Sequence, residues 1–274
     1  MDLTLRGKVV LVTGGSRGIG YEIARQFAAE GARVAICGRD GASLRTAEAG
    51  IRAAGGDCIA IQADLFEPDA ADQLVRQTVA AHSGIDVLVN NASTNVDRVP
   101  VRLEDASDQQ LFERLTGKLM GAIRCSRAVI PHMRRAGGGR IICIGGTSAR
   151  AVPRSAAGVP GRSELPQGLG NSALSSFASH LAGEVARDRI LVNVVHPYQT
   201  RTDRTAARVA KVAAERGISL DAAALALAES VPIGRMIEPA DIAPLVLFLA
   251  SPLAGAITGQ AVAIDGGAVP TVNY

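Results

Sequence analysis

Short apolar runs recur along the whole chain, at Val9–Val12, Val34–Cys37, Cys58–Ile61, Ile85–Val89, Ile141–Ile144, Ile190–Val195 and Ala261–Ile264. Several are apolar at consecutive positions instead of alternate ones, the pattern of strands covered on both faces. Between them lie Ala- and Leu-rich stretches of helix length: Ile19–Ala29, Ala42–Ala54, Pro68–His82, Gln109–Arg135 and Ser172–Arg187. This alternation predicts one α/β domain over residues 1–274, a doubly wound parallel sheet with helices on both faces. Two stretches interrupt the rhythm. Residues 146–169, rich in Gly, Pro and Ser, predict a loop, and residues 203–230, Ala-rich with polar interruptions, predict one or two extra helices. Both follow strands, so both are expected to cover the carboxyl edge of the sheet, where doubly wound folds bind ligands.

Apolar residues make up 47% of the chain and charged residues 20%, which excludes a disordered polymer. No apolar run approaches the roughly 18–20 residues of a membrane helix. The first residues, Met1 to Lys8, lack a basic region followed by an apolar core, so a cytoplasmic protein is expected, with no membrane partner. The net charge of +3 is spread along the chain. Its densest basic patch, Arg134, Arg135 and Arg140 around Gly137–Gly139, reads as a solvated loop and not as a nucleic-acid site. Cys37, Cys58, Cys125 and Cys143 have no C-x-x-C spacing, and the histidines are isolated, so reduced thiols and no metal site are expected. Arginine outnumbers lysine 26 to 3, which makes each lysine worth locating.

The first strand runs into Thr13-Gly14-Gly15-Ser16-Arg17-Gly18-Ile19-Gly20 and then directly into a helix. A turn this tight needs glycine, and the helix N-terminus behind it offers unpaired N–H groups to a phosphate. The spacing resembles that of the short-chain dehydrogenase/reductase family, a Rossmann-type fold, and the resemblance extends over nearly the whole chain. Asp64-Leu65 falls where family members place an acid near adenine. Asn90-Asn91-Ala92-Ser93 is similar to the family's N-N-A-G, with Ser93 in place of the glycine. Pro232-Ile233-Gly234-Arg235, Glu238 to Ala243 and Thr258-Gly259-Gln260 to Asp265-Gly266-Gly267 match its C-terminal third. The resemblance implies a nicotinamide dinucleotide held by Gly14, Ser16, Arg17, Gly18, Ile19, Gly20, Arg39, Asp64, Leu65, Asn91, Ala92 and Thr202. The position that holds an acid in NAD enzymes is Gly38, with Arg39 next and Arg17 nearby. Arginine pairs a 2′-phosphate bidentately, so NADP(H) is favoured over NAD(H), with Asp40 weighing slightly the other way.

The family's usual chemistry is missing from the sequence. Reductases of this kind carry a Tyr-x-x-x-Lys pair, an upstream Ser and a supporting Asn, with the lysine lowering the phenol pKa from about 10. Aligned on the helix around Ala173-Leu174, the tyrosine position holds Gln167 and the lysine position Asn171; the serine falls on Gly146 and the asparagine on Lys118. No register restores the pair, because the only tyrosines are Tyr21, Tyr198 and Tyr274 and the only lysines Lys8, Lys118 and Lys211. Lys118 and Asn171 exchange the family's two residue types, which suggests that Lys118 delivers a cation from the neighbouring helix. The alternative is a lysine that snorkels to the surface.

Tyr198 in His196-Pro197-Tyr198-Gln199-Thr200-Arg201-Thr202 replaces the glycine of the family's P-G-x-x-x-T. It could be a relocated acid or base, a plug that closes the nicotinamide pocket and leaves no cofactor bound, or a ring packed on its own loop. The catalytic candidates are therefore Lys118, Tyr198, Asn171 and Ser148, with Thr147, Arg150, Arg154 and His196 as further polar neighbours. His180 lies on a helix apolar on several faces and suits a subunit interface; the resemblance implies a homodimer or homotetramer. Three functions stay open: an NADP-linked oxidoreductase of carbonyls or alcohols with a rearranged site, a non-redox enzyme on the same fold (dehydratase, lyase, cyclase or hydrolase), or an inactive binding subunit. A small-molecule substrate is expected, in a pocket with Arg150, Arg154, Arg201 and Arg204 at its margin.

Overall fold

In the computed structural model the described residues are 2–93, 103–105, 107–151, 165–229 and 231–269. Seven parallel strands form one sheet in the order β3-β2-β1-β4-β5-β6-β7. They are β1 (Val9–Thr13), β2 (Arg33–Gly38), β3 (Asp57–Gln62), β4 (Val87–Asn90), β5 (Gly139–Ile144), β6 (Ile190–Pro197) and β7 (Ala261–Ile264). The helices are α1 (Gly18–Ala29), α2 (Gly41–Ala53), α3 (Ala70–His82), α4 (Asp108–Arg135), α5 (Leu165–Val185), α6 (Asp203–Arg216), α7 (Leu220–Glu229) and α8 (Pro239–Ala250). The fold is the doubly wound Rossmann-type sheet that the alternation predicts.

The consecutive apolar residues in the strands serve two cores. Val10 and Val12 of β1 join α1, α2 and α8 in one layer, with Ile23, Phe27, Leu44, Ile242 and Val246. Val9 and Leu11 of the same strand join α3, α4 and α5 in the other, with Leu74, Cys125, Val129, Leu174 and Leu181. Local chemistry sets the helix starts. A reciprocal Ser107–Gln110 capping box opens α4, and the Asp40 carboxylate opens α2 by accepting from the Ser43 N–H at 2.6 Å.

Helix α5 begins at Leu165, seven residues ahead of the expected start at Ser172 and inside the segment read as a loop. Pro166 in the first turn suits a helix start, because it has no N–H to leave unpaired. Of the glycines that argued for a loop, Gly168 lies within the helix. Residues 147–149 form a single 3-10 turn; residues 152–164, the rest of that loop, lie outside the described residues. The 203–230 segment resolves into the two helices α6 and α7, parted by Gly217 in the left-handed region. Among the described residues no helix is long and apolar enough to cross a membrane.

The chain runs outward from β1 to β3 and returns to β4 beside β1. The sheet thus changes direction between β1 and β4, and the turns after these strands flank the crevice in which such folds bind nucleotides.

Candidate active site

At the switch point Thr13 ties two turns together. Its buried Oγ1 accepts the N–H groups of Asn91 and Ala92 at 2.9 and 3.0 Å and donates to the Val89 carbonyl at 3.3 Å. Asn91 reciprocates: its Nδ2 donates to the carbonyls of Thr13 and Gly14, both at 3.0 Å. Gly14 lies at φ +64, a conformation glycine adopts without strain. A Cβ at Gly20 would collide with the Gly14 carbonyl and with Asn91 Nδ2. These two glycines are therefore demanded by the packing of the turn itself, before any ligand is considered. What the turn leaves for a ligand is the start of α1. Arg17 sits at the N-cap in extended conformation, and no side chain caps the helix. Its first N–H groups remain available to an anion, in the partial positive charge of the helix dipole. Thr202 caps the start of α6 close by, its methyl group facing Gly18.

The rim at the end of β2 is cationic. Ser16 lies beside Gly38, and Arg17 and Arg39 are both exposed. Asp40 is committed to α2: the Ser43 hydrogen bonds, with the charges of Arg17 and Arg45, hold its carboxyl below the usual range. Across the rim, Asp64 Oδ1 accepts the Phe66 N–H at 3.1 Å, while the Leu65 side chain packs into the second core. Arg124 of α4 donates to the carbonyls of Leu65 and Phe66 at 3.0 and 2.8 Å. A cavity of about 370 Å³ lies next to this turn, lined in part by Gln62, Ala63, Asp64 and Glu67. A second hollow, about 450 Å³, is bordered by Gly18, Tyr21, Arg201, Thr202 and Glu238. The start of α1 would hold the pyrophosphate of a dinucleotide.

The other half of the edge is built around the turn after β5, where three elements converge. Lys118 Nζ, from α4, donates to the Gly145 carbonyl at 2.9 Å. Asn171 Nδ2, from α5, donates to Ser148 Oγ at 2.8 Å. His196 Nδ1, at the end of β6, accepts the Gly146 N–H at 2.9 Å. Lys118, Asn171 and Ser148 are thus brought onto one four-residue segment. Burial, then the charges of Lys118 and Arg150, pushes His196 down to about 4, so the ring is neutral near neutral pH. With Nδ1 accepting, the ring proton sits on Nε2 and is donated to Ser175 Oγ, 3.1 Å away; Ser175 in turn donates to the Asn171 carbonyl at 2.9 Å. This tautomer cannot take a proton from Ser175, so the Ser175–His196 contact is not a nucleophile and base pair.

The two glycines of the turn fit these partners. A Cβ at Gly145 would run into the His196 ring, and one at Gly146 would lie 2.8 Å from Asn171 Nδ2. A serine at position 146 is therefore incompatible with the present placement of Asn171.

Tyr198 does not join this group. Its ring is half-buried against the α1/α8 core, and its carbonyl accepts the Thr200 hydroxyl at 2.7 Å. Lys118 approaches from the α4 side of the sheet instead. Gln167 lies half-buried in the first turn of α5. Arg150 turns to the Ala261 carbonyl at 3.3 Å, and Arg201 forms an exposed ion pair with Glu238. Arg154 falls outside the described residues. His180 is exposed, with its ring against the Ser176 carbonyl. All four cysteines are buried as free thiols, and burial pushes Cys37, Cys58 and Cys143 up to about 12. Ser175 and Phe66 were not apparent from sequence: neither sits in a recognisable motif, and each shows its importance only through a partner distant in the chain.

The parallel sheet, with a glycine turn feeding an uncapped helix at its switch point, defines a dinucleotide-binding α/β protein. The family model described as Enoyl-(Acyl carrier protein) reductase matches residues 14–269. Short-chain reductase protein NovJ of Streptomyces niveus is 36% identical over 259 residues, covering 94% of this chain and 93% of that protein. The 3-oxoacyl-(acyl-carrier-protein) reductase FabG of Escherichia coli is 33% identical, with 97% and 98% covered. Among solved structures, L-sorbose reductase from Gluconobacter frateurii, complexed with NADPH and L-sorbose, superposes with a TM-score of 0.90 at 29% identity, covering 99% of this chain and all of that one. A single-substitution variant of actinorhodin polyketide ketoreductase with NADPH gives 0.87 at 30% identity, with 96% and 98% covered. The chain belongs to the short-chain dehydrogenase/reductase family of oxidoreductases.

Proposed function

We propose that this protein is an NADP(H)-linked reductase of a small carbonyl substrate, or the corresponding alcohol dehydrogenase, acting through Lys118, Asn171 and Ser148 in place of the Tyr-x-x-x-Lys pair. The observation that carries the reading is the turn after β5, which gathers these three residues beside an intact nucleotide cradle. NADP(H) is favoured by Arg39 and Arg17 on a rim whose nearest acid, Asp40, is committed to α2. NADPH bound in two structural neighbours supports a nicotinamide cofactor.

A reduced nicotinamide, when bound, would supply the hydride for such a reduction. Ser148 Oγ accepts from Asn171, so its own hydrogen is directed elsewhere and suits the carbonyl oxygen. The Lys118 ammonium, tethered at Gly145, places positive charge near that oxygen and supplies the proton as it becomes an alcohol. His196 stays neutral and holds the turn. The exposed apolar side chains Phe112, Leu165 and Leu169 on α4 and α5 support a homodimer or homotetramer formed through these helices.

The test is loss of reduced-nicotinamide absorbance with a panel of ketones and 3-oxoacyl thioesters, chosen because E. coli FabG is named for that activity. Turnover is expected with the native protein, with NADPH preferred. Lys118→Met should lower kcat by about 10²-fold or more while NADPH still binds. Gln167 at the family's tyrosine position favours a second reading, a non-redox enzyme on this fold. NADPH binding with no carbonyl reduced would favour it.

A further inference from the structure

Phe66 is a large aromatic side chain that belongs to neither core. It is 38% exposed, in a chain with five phenylalanines and no tryptophan. Its backbone is nevertheless closely held. Asp64 accepts its N–H, and Arg124, reaching across from α4, takes its carbonyl and that of Leu65. A turn fixed from both sides to present an exposed ring calls for an object to meet the ring. That object is Arg39, whose Cζ lies over the ring, 6.0 Å from the centroid. The Arg39 backbone is held as well, its carbonyl accepting Gln62 Nε2 at 2.9 Å.

A guanidinium resting on an aromatic face is attracted by the ring quadrupole and keeps its in-plane N–H groups for other acceptors. An exposed arginine otherwise spreads over many rotamers, and that freedom is lost when it binds a phosphate. Holding it beforehand lowers the loss on binding.

We propose that Phe66 is a positioning residue for cofactor choice: it parks the Arg39 guanidinium at the ribose end of the cradle, ready for a 2′-phosphate. This rests on the NADP(H) reading above. Phe66 has no partner in an NADH complex under this account, so its removal acts on the phosphorylated nucleotide alone. Because the ring lies outside both cores, its substitution leaves the fold standing.

The experiment is calorimetric titration of the native protein, Phe66→Ala, Phe66→Leu and Phe66→Tyr with 2′,5′-ADP and with 5′-AMP. These probes carry the ribose end without the nicotinamide, so the state of the Tyr198 region does not enter. Thermal melts serve as the folding control. The expected result is tighter binding of 2′,5′-ADP than of 5′-AMP by the native protein. Phe66→Ala and Phe66→Leu should weaken 2′,5′-ADP about 3–5-fold, the scale of an exposed cation–π contact, with 5′-AMP unchanged and Phe66→Tyr restoring the native value. A native preference for 2′,5′-ADP that survives Phe66→Ala would overturn this proposal and leave the NADP(H) reading intact. Equal binding of the two probes by the native protein would overturn the NADP(H) reading itself.

Discussion

At the β1–β4 switch point side chains hold the backbone alone, whereas after β5 they hold the backbone and also one another. Thr13 and Asn91 hold main-chain groups of two turns, and Gly14 and Gly20 make room for those turns to touch. After β5, Gly145 makes room for the His196 ring and Gly146 for the Asn171 carboxamide, while Asn171 grips Ser148. A loop constrained by its own backbone tolerates few residue types at each position taken singly. A site constrained by pairs can change composition if both members change. Under the proposed function, this difference is what lets a cradle keep most of the family's residues next to a chemical site that has exchanged them.

The most damaging way to test the contrast is at the cradle. Gly20→Ala forces a methyl group against the Gly14 carbonyl and Asn91, with no flexible neighbour to yield. It should lower stability by about 3 kcal/mol in urea unfolding and abolish NADPH binding. Next comes His196. Its folded pKa of about 4 lies below the usual ~6.5, so the unfolded chain binds the extra proton between these values. Stability from this group is full above pH 6.5 and is lost as pH falls towards 4, by about 3 kcal/mol across that window. In His196→Asn that part of the pH dependence should disappear from unfolding curves.

A smaller effect sharpens the idea of paired constraint. Gly146→Ser, the residue the family resemblance implies there, should cost about 2 kcal/mol through its contact with Asn171. The Gly146→Ser/Asn171→Ala double variant should cost less than the sum of the two single variants, by ~1 kcal/mol or more. Strict additivity would mean that the two positions are not coupled. Smallest in stability is Ser148→Ala: a half-buried hydroxyl is lost and Asn171 Nδ2 is left without its acceptor, a change of about 1 kcal/mol. Its expected signature is kinetic, a fall in kcat with NADPH affinity unchanged.

The strands, the helices α1 to α7 and the glycine turn were legible in the sequence because each depends on residues close in the chain; α8 was not, since Pro244 sits inside an almost wholly apolar stretch that shows no polar face. Nor was the start of α5, since Gly168 suggests a loop until its place beside the Ser148 carbonyl is known. At the proposed chemical site, Lys118 and Asn171 were nameable one by one as departures from an expected pattern, and Ser148 as a polar neighbour of Gly146. Their convergence was not. It depends on contacts spanning 27 and 23 residues, and on a histidine 50 residues from the glycine whose N–H it accepts. Tyr198 stood out as a substitution for glycine, yet its ring packs with the α1/α8 core and away from the Lys118 side of the sheet.

Under the proposed function the nucleotide cradle binds the cofactor and selects its 2′-phosphate. Titration with NADPH and with NADH, following the emission of the reduced nicotinamide, tests it most directly; the chain has no tryptophan to interfere. The account predicts saturable binding of both, with NADPH tighter by about tenfold or more, as expected when two arginines meet a phosphate. Absence of binding at millimolar cofactor, or equal affinity for the two, would contradict it.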